Sequence, residues 1–304
     1  MQQVVEIDGK ELLIRNLDKK FYPEGLTKAD IIKYYVDIAD RVLPYVQNRP
    51  LVMVRYPDGI DGKFFYQKDC PEHAPEWIRT VAIQSEAKQE PINFIQAADV
   101  ATLVWMASQG NIEIHAWLSR ITDLQHPDVA IFDLDPAEGA TFADVVELAL
   151  LVKGALEEFG IKGFPKTSGS TGMHINIPLI PSRFTYEDVR EATGYISQLI
   201  TSLYPQKATL ERKVKDRSGK VYMDYLQNSW GKTMAWVYSL RPHPGAPVST
   251  PVTWQELERG QVSPDKFNIH SIFSRLQHMG DLYAEFWEQP QDLGRILQVT
   301  RRYN

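Results

Sequence analysis

Residues 129–136 read VAIFDLDP, an apolar run that ends in two aspartates. A short run of this composition is typical of a buried β-strand. Because side chains two apart on a strand point to the same face, Asp133 and Asp135 are expected to project side by side, while Leu134 enters the opposite face. Neighbouring carboxylates repel each other, and a divalent cation or a shared proton removes that repulsion. The run therefore indicates either a metal site or a polar strand end that happens to carry two aspartates.

A loop of small residues, KTSGSTG at residues 166–172, leads into a predicted strand over residues 173–179. Its glycines and hydroxyls allow backbone N–H groups and side-chain oxygens to approach phosphate oxygens closely. His174, at the exit of the loop, can donate a further hydrogen bond to a phosphate. The loop is interpreted as a phosphate cradle, with an ordinary Ser/Gly turn as the alternative.

Two more polar residues lie in apolar surroundings. Asp224 occupies the middle of YMDYL at residues 222–226, where a carboxylate is costly unless it has a metal or a basic partner. His115 lies in IEIHAW at residues 112–117, and it is either a site residue or a half-buried histidine whose hydrogen bonds are satisfied. Aspartates of this kind, a phosphate loop and several cations together suit in-line nucleotidyl transfer supported by two metal ions.

Composition and charge narrow the class of protein. The 304 residues are 43% hydrophobic and 24% charged, as in soluble globular chains, which argues against a fibrous or disordered protein. There is no leader-like start and no run of about 18 apolar residues, so we expect a cytoplasmic protein with no membrane partner. The net charge of -6 is unusual for a nucleic-acid binder. The basic segment at residues 207–220 is either a local positive patch or a solvated hairpin.

The periodicity of the chain predicts an α+β fold, with mixed or antiparallel central sheets flanked by helices. A hairpin is expected around Asp8-Gly9. Thr27 and Asp30 form a capping box that opens a helix ending near Val46. Further strands are predicted at residues 51–56, 63–67, 77–83, 112–118, 129–134, 173–179, 221–226 and 235–240, and further helices at residues 98–108, 143–159, 186–204, 254–259 and 281–288. Without a repeat or a Gly/Ser linker, residues 1–304 are expected to form a single domain, or two lobes of which the first covers about residues 1–110.

Several motifs occur in a specific order along the chain. They are NLDKKFYP at residues 16–23, RPL at 49–51, YPDGI at 56–60, FFYQK at 64–68, IHAW at 114–117, the Asp133/Asp135 strand and TSGSTGMH at 167–174. In this order they resemble the polymerase domain of bacterial ligase D, a branch of the archaeo-eukaryotic primase superfamily. The resemblance covers residues 8–241 and extends more weakly beyond them.

The resemblance implies a role for each of four groups of residues. The metal-binding catalytic carboxylates would be Asp133, Asp135 and Asp224, which hold two Mn²⁺ or Mg²⁺ ions. The nucleotide-binding residues would be His115 near the sugar and, around the triphosphate, Ser168, Ser170, Thr171, His174, Lys232 and Arg241. Phe64 or Phe65 would stack on the template, and Arg217 would lie near the primer end. Asn16, Lys19 and Lys28 would bind the 5′-phosphate of a gap or break. The family often carries lysine where this chain has Thr171.

The function implied by the resemblance is that of a template-dependent nucleotidyltransferase, a primase-polymerase that extends primers and fills gaps at DNA ends during non-homologous end joining. It would prefer ribonucleotides. The implied partners are DNA ends, gaps and overhangs with a 5′-phosphate, nucleoside triphosphates, the Ku protein, and a separate or fused DNA ligase. The chain itself carries no Lys-x-Asp-Gly ligase signature. Two alternatives stay open, namely a phosphohydrolase that uses Asp133 as its nucleophile and a non-catalytic scaffold that binds DNA ends.

Overall fold

The computed structural model describes residues 2–85 and 90–303. The strands are β1 (Gln2–Ile7), β2 (Lys10–Arg15), β3 (Pro50–Arg55), β4 (Phe65–Gln67), β5 (Thr80–Gln84), β6 (Pro91–Gln96), β7 (Asn111–Trp117), β8 (Ser119–Arg120), β9 (Asp123–Pro127), β10 (Val129–Pro136), β11 (Phe164–Thr167), β12 (Met173–Pro178), β13 (Ala208–Thr209), β14 (Val221–Met223) and β15 (Thr233–Ala235). The α-helices are α1 (Lys28–Val46), α2 (Val100–Ser108), α3 (Phe142–Glu158), α4 (Tyr186–Leu203), α5 (Trp254–Glu258), α6 (Ser271–Met279) and α7 (Gly294–Tyr303). Within the described ranges, none of the helices combines the length and the apolar composition that a membrane span requires.

The chain divides into two compact units. Unit 1 consists of Met1–Thr122, Thr233–Ser249 and Asn268–Ser271, and unit 2 consists of Asp123–Lys232, Thr250–Phe267 and Ile272–Asn304. Each unit is therefore built from separate stretches of the sequence. The expectation of a single domain over residues 1–304 stays a prediction.

Unit 1 is built on a six-stranded sheet. Its order is β15-β7-β3-β6-β5, with β4 paired to the remaining part of β3, and all of its ladders are antiparallel. Helix α1 begins at the predicted capping box, in which the Thr27 backbone N–H donates to Asp30 Oδ2 over 2.7 Å. Its apolar stripe, including Tyr35, Ile38 and Val42, is buried. The predicted helix is therefore confirmed at both ends.

The hairpin at the start of unit 1 follows from two residues. Asp8 and Gly9 have φ values of 51° and 71°, and positive φ at both central positions is what a type I′ turn requires. Strands β1 and β2 consequently pair in register, with Ile7 opposite Lys10. The hairpin prediction is confirmed.

Unit 2 is built on a five-stranded sheet in the order β11-β12-β10-β14-β13. Strand β10 is central and antiparallel to both β12 and β14. One face of β10 carries Ala130, Phe132 and Leu134 into a core that also contains apolar residues of α3 and α4. Since side chains alternate along a strand, Asp133 and Asp135 project from the other face. The apolar core and the acidic face are thus two sides of one strand.

The α+β class with antiparallel sheets is confirmed, but three predicted elements are wrong in extent. The strand predicted at residues 221–226 ends at Met223, because the Asp224 side chain accepts the Leu226 N–H over 3.1 Å and turns the chain. The helix predicted at residues 281–288 reduces to a 3₁₀ turn at Phe286–Glu288. Strand β15 starts earlier than predicted and stops at Ala235, and Tyr238 adopts a φ of 63° that breaks an extended run.

Candidate functional site

The acidic face of β10 carries one aspartate in contact with a histidine. Asp133 lies directly opposite His174 of β12 in the ladder, and His174 Nε2 lies 3.3 Å from Asp133 Oδ1. Both side chains are buried. Directly paired residues on adjacent strands place their side chains on the same face of the sheet. The structure therefore brings together two residues that sequence analysis assigned to the metals and to the triphosphate.

The third predicted carboxylate is attached to the same strand by its backbone. The Asp224 N–H donates to the Asp133 carbonyl oxygen over 2.8 Å, just beyond the end of the β10–β14 ladder. Asp224 Oδ1 accepts a hydrogen bond from the Tyr222 hydroxyl over 3.0 Å. Asp224 is half-buried, whereas Asp135 is exposed. All three aspartates thus occur at one end of the unit 2 sheet.

Asn228 holds this end of the sheet together and was not predicted. Its Oδ1 accepts the Ile131 N–H over 2.9 Å, and its Nδ2 donates to the Ile131 carbonyl over 2.7 Å. The buried amide therefore replaces a neighbouring strand beside β10. The preceding 3₁₀ turn, Tyr225–Gln227, is fixed against β10 directly after Asp224. An asparagine with such a role depends on contacts across almost a hundred residues, which local patterns do not show.

The donor atoms at this end of the sheet fit a hard divalent cation. Carboxylate oxygens are the ligands that Mg²⁺ and Mn²⁺ prefer, and the three aspartates supply six such oxygens. Within residues 2–85 and 90–303, however, no group of three or more His, Cys, Asp or Glu side chains is already arranged as a metal site. The carboxylate oxygens and the backbone placement of the three aspartates agree with the predicted binding of two metal ions, which stays a prediction.

Ser168 organises the predicted phosphate loop. Its Oγ accepts the N–H groups of Ser170 and Gly172, each over 3.1 Å, and its own N–H donates to the Gly172 carbonyl over 3.0 Å. Those two N–H groups therefore point into the loop. Ser168 is buried, Ser170 is half-buried and Thr171 is exposed. The loop is a closed turn that presents hydroxyl groups.

Gly172 explains why the loop lies so close to β10. A Cβ at this position would lie 2.1 Å from the Leu134 carbonyl oxygen and 3.3 Å from Asp135 Oδ1. The first distance is far inside van der Waals contact, so only glycine fits here. The absence of a side chain brings the loop backbone against the strand that carries Asp133 and Asp135.

Arg217 and Lys232, two predicted cations of unit 2, differ in their surroundings. The Arg217 guanidinium lies 3.6 Å above the Tyr222 ring, and Tyr222 in turn donates to Asp224. Burial and the Asp224 charge raise the pKa of the Tyr222 hydroxyl, so it stays a donor. Arg217 is thus connected to the acidic end of the sheet. Lys232 is exposed, and its backbone N–H donates to the Ser229 carbonyl.

Lys166 is another cation of unit 2, it is buried, and sequence analysis did not single it out. It is 1% exposed and lies opposite His174 in the β11–β12 ladder, as His174 lies opposite Asp133. The three side chains therefore project from the same face of the sheet. The motif KTSGSTG contained this lysine, but its burial could not be inferred from the loop composition.

Glu113, which was also missed, joins two predicted nucleotide-binding residues in unit 1. Its Oε2 lies 3.1 Å from His115 Nε2 and 2.8 Å from Arg241 Nε, and its Oε1 accepts the Tyr56 hydroxyl over 3.0 Å. Burial alone would raise the pKa of Glu113, but the hydrogen bond from His115 and the charges of His115 and Arg241 lower it to about 2. The alternation in IEIHAW, which places Glu113 and His115 on one strand face, was the available signal.

The predicted template residues belong to an exposed aromatic row in unit 1. Phe64, Phe65 and Tyr66 are 54%, 44% and 58% exposed. Phe64 stacks on Tyr56 at 5.3 Å between ring centroids, and Tyr66 makes edge contacts with Phe64 at 6.2 Å and with His115 at 6.3 Å. Large apolar side chains this exposed commonly mark a binding surface. Tyr66, which links the row to His115, was not predicted.

The predicted 5′-phosphate residues line one cavity of unit 1. Its volume is about 540 Å³, and its lining includes Asn16, Lys19 and Lys28 together with Arg15, Arg55, His73 and Gln109. Burial and the charges of Lys19 and Arg55 lower the pKa of Lys28, so the three cations lie near one another. Lys19 also pairs with the exposed Asp58 over 2.7 Å. The structure therefore groups the three predicted residues, and Arg55 joins them.

Comparison with known proteins identifies related chains. Residues 27–283 match the family model described as LigD, primase-polymerase domain. The chain is 34% identical over 295 residues to the bifunctional non-homologous end joining protein LigD of Bacillus subtilis, which covers 96% of this chain and 47% of that protein. It is 31% identical over 277 residues to the multifunctional non-homologous end joining protein LigD of Mycolicibacterium smegmatis, which covers 89% of this chain and 35% of that protein.

Solved structures agree with the sequence relatives. The polymerase domain from Mycobacterium tuberculosis ligase D, in complex with DNA, superposes with a TM-score of 0.83 at 28% identity, and the match covers 92% of this chain and 99% of that chain. The chain spans less than half the length of the curated relatives it matches. The resemblance inferred from the ordered motifs is confirmed. The chain therefore belongs to the LigD primase-polymerase domain family.

Proposed function

We propose that this chain is a template-dependent nucleotidyltransferase that extends primers and fills gaps at DNA ends during non-homologous end joining. The observation that carries the proposal is the placement of Asp133 and His174 on neighbouring strands of unit 2, with Asp224 bonded to the Asp133 backbone directly after β14 and the loop organised by Ser168 next to them. Carboxylates beside a phosphate-sized loop suit nucleotidyl transfer. A solved relative with the same fold is a polymerase domain in complex with DNA.

Asp133, Asp135 and Asp224 are proposed to hold two Mn²⁺ or Mg²⁺ ions through their carboxylate oxygens. When bound, such ions activate a 3′-hydroxyl and neutralise the triphosphate and the leaving pyrophosphate. The contribution of the chain itself is positional. The hydrogen bond from the Asp224 N–H to the Asp133 carbonyl holds the backbone that carries Asp224 against β10, and fixed groups need little reorganisation during the reaction.

The incoming nucleotide is proposed to bind through its triphosphate to Ser168, Ser170, Thr171, His174, Lys232 and Arg241, and through its sugar to His115. Glu113 is ionised, so its carboxylate can only accept, and His115 Nε2 must donate to it. The other ring nitrogen, Nδ1, is then the imidazole atom proposed to contact the sugar. A ribose 2′-hydroxyl, which deoxyribose lacks, can both donate and accept a hydrogen bond, so a contact with Nδ1 would favour ribonucleotides.

The DNA is proposed to contact three groups of residues. A template base would stack on Phe64 or Phe65, an interaction typically worth about 1–3 kcal/mol per base. Arg217 would lie at the primer end. The 5′-phosphate of the gap would bind Asn16, Lys19 and Lys28, which share one cavity. Ku and a separate or fused DNA ligase are the proposed protein partners.

The proposal is tested by gap filling. The substrate is a gapped DNA with a 5′-phosphate, supplied with Mn²⁺ or Mg²⁺ and with ribo- or deoxyribonucleoside triphosphates. The wild type should add the templated nucleotide, more readily from ribonucleotides. Asp133→Asn should lower the extension rate by about 100-fold or more, since it removes charge stabilisation in the transition state. Asp40→Asn, which changes an exposed aspartate of α1, is the matched control and should extend normally.

Other outcomes would replace the proposal. Metal-dependent covalent phosphorylation of Asp133 with no need for a template would indicate the phosphohydrolase. A wild type that binds the gapped DNA but never extends the primer, with Asp133→Asn binding equally well, would indicate the non-catalytic scaffold.

A further inference from the structure

We infer that Arg55 is a third cationic ligand of the anchored 5′-phosphate, and that it couples this phosphate to the stacking surface through Phe65. The inference deepens the proposed function and rests on it. It concerns the cavity of unit 1 described above, whose lining includes Lys19, Lys28 and Arg55. Among the described residues that line this cavity, none is acidic.

The carboxyl end of α2 fixes two of the cations. The Ser108 carbonyl accepts a hydrogen bond from Lys28 Nζ over 2.8 Å, and the Gln109 carbonyl accepts one from Arg55 Nε over 2.9 Å. The last carbonyls of a helix lack partners within the helix and carry a partial negative charge. Both cations are therefore held at the same helix end, with their remaining donors available to the cavity they line.

Arg55 retains donors suited to a phosphate. Its Nη1 donates to Gln67 Oε1 over 2.8 Å, and its Nε donates to the Gln109 carbonyl. A guanidinium has five N–H donors in a planar fork, so the contacts with described residues leave three of them for a ligand. A fork of this kind binds two oxygens of one phosphate, which an ammonium does not.

The electrostatics of the cavity favour an anion. Burial lowers the pKa of Lys28, and the like charges of Lys19 and Arg55 lower it further. Lys19 pairs with the carboxylate of Asp58 at the surface, and Asp58 is not among the described residues that line the cavity. A phosphate monoester carries nearly two negative charges at neutral pH, and it would relieve the repulsion among three cations.

Arg55 also reaches the aromatic surface. It lies directly opposite Phe65 in the β3–β4 ladder, and its guanidinium carbon lies 5.4 Å from the centroid of the Phe65 ring. The bond to Gln67 attaches the same guanidinium to the far end of β4. One side chain therefore contacts both the cavity and the strand that presents the template platform.

The test measures binding of gapped DNA with a 5′-phosphate or a 5′-hydroxyl across a salt series, without nucleotide. Arg55→Gln should weaken binding of the phosphorylated DNA by about 10-fold more than binding of the hydroxyl DNA, and should lower the slope of log affinity against log salt by about 1. Arg55→Lys should restore the slope but only part of the phosphate preference, because it lacks the fork. Arg41→Gln removes one exposed arginine of α1 and should change neither quantity.

The coupling to Phe65 has its own readout. A fluorescent base analogue in the template opposite the gap reports stacking through quenching. In the wild type, the 5′-phosphate should increase the quenching, and in Arg55→Gln it should not. Phe65→Leu should abolish the quenching while retaining the phosphate preference.

Equal weakening of both DNAs by Arg55→Gln, or a full phosphate preference in Arg55→Lys, would overturn the inference and leave Arg55 as a structural support of β4. The unfolding midpoints of Arg55→Gln and Arg55→Lys show whether either variant folds poorly. If Arg55→Gln does, the phosphate preference of Arg55→Lys relative to the wild type decides whether Arg55 binds the phosphate. Extension of a primed template that lacks a 5′-phosphate reports the polymerase function separately.

Discussion

The carboxylate of Glu113 contacts His115, Arg241 and Tyr56. Its titration predicts how the stability of the protein depends on pH. Its pKa of about 2 in the folded protein lies below the ordinary value of about 4.3. A depressed pKa means that the stabilisation is present above the unfolded value and is lost as the pH falls towards the folded one. The shift corresponds to a contribution on the order of 3 kcal/mol.

The prediction compares Glu113→Gln with the wild type. At pH 7 the variant should unfold at a lower denaturant concentration, and the difference in unfolding free energy should shrink between about pH 4.5 and pH 2. Chemical denaturation of both proteins at several pH values measures this difference in unfolding free energy. Glu6→Gln, at an exposed position of β1, is the control. A difference that stays constant with pH would show that the ionisation of Glu113 is not the source of its stabilisation.

Asn228 is the second residue whose contacts predict a large effect. In Asn228→Ala the N–H and carbonyl groups of Ile131 would lose their partners inside the protein, at a cost of about 1–3 kcal/mol for each unsatisfied group. Thermal unfolding should show a lower midpoint, and gap filling should also fall because the turn after Asp224 loses its support. Gln198→Ala, on the exposed face of α4, should leave both measurements near wild type.

At the scale of elements, the contact between the phosphate loop and β10 depends on Gly172. Gly172→Ala places a methyl group 2.1 Å from the Leu134 carbonyl, so the loop must move away from the strand. We expect loss of gap filling and a raised KM for the nucleotide. Gly154→Ala is the matched control, since a methyl group there meets nothing within 4 Å. It should retain activity and stabilise α3 by about 0.5–1 kcal/mol.

The elements that sequence predicted well are those with a local cause. The β1–β2 hairpin follows from the conformations of Asp8 and Gly9, and α1 follows from its capping box and apolar stripe. Strand β10 and the loop before β12 also lie where their composition placed them. The end of β14 does not, because the Asp224 side chain accepts the Leu226 N–H group and so competes with the strand for it.

The residues that sequence missed are those whose meaning depends on distant partners. The role of Glu113 depends on its ion pair with Arg241, and the role of Asn228 depends on its hydrogen bonds with Ile131. The role of Arg55 depends on its contacts with the end of α2 and with β4, the strand that pairs with β3. A polar residue inside an apolar run does not reveal which partner satisfies it. Family resemblance supplied the catalytic candidates, whereas only the structure supplied the residues that position them.

At the scale of the whole molecule, the net charge of -6 is opposite to that expected of a DNA binder. Because screening limits the reach of charges to about 8–10 Å at physiological ionic strength, local cations decide the affinity. Lys28→Gln and Lys33→Gln change the net charge equally, and both residues lie on α1. Lys28→Gln should lower the salt slope of binding to 5′-phosphorylated gapped DNA by about 1. Lys33, which pairs with Asp37 at the surface, should have no such effect. Equal slopes for the two variants would show that total charge controls binding.

The carboxyl end of α2 places partial negative charge next to the unit 1 cavity, which is unusual for a phosphate site. Helices that bind phosphate usually present their amino ends, whose N–H groups attract anions directly. Here the carbonyls of Ser108 and Gln109 would repel a phosphate, and Lys28 and Arg55 stand between them and the cavity. The polarity of the cavity is thus set by side chains and opposed by the backbone. Neutralising both Lys28 and Arg55 should therefore leave only Arg15 and Lys19 as cationic residues in the described part of the lining, with the helix carbonyls uncovered, so that the cavity loses most of its attraction for the DNA end.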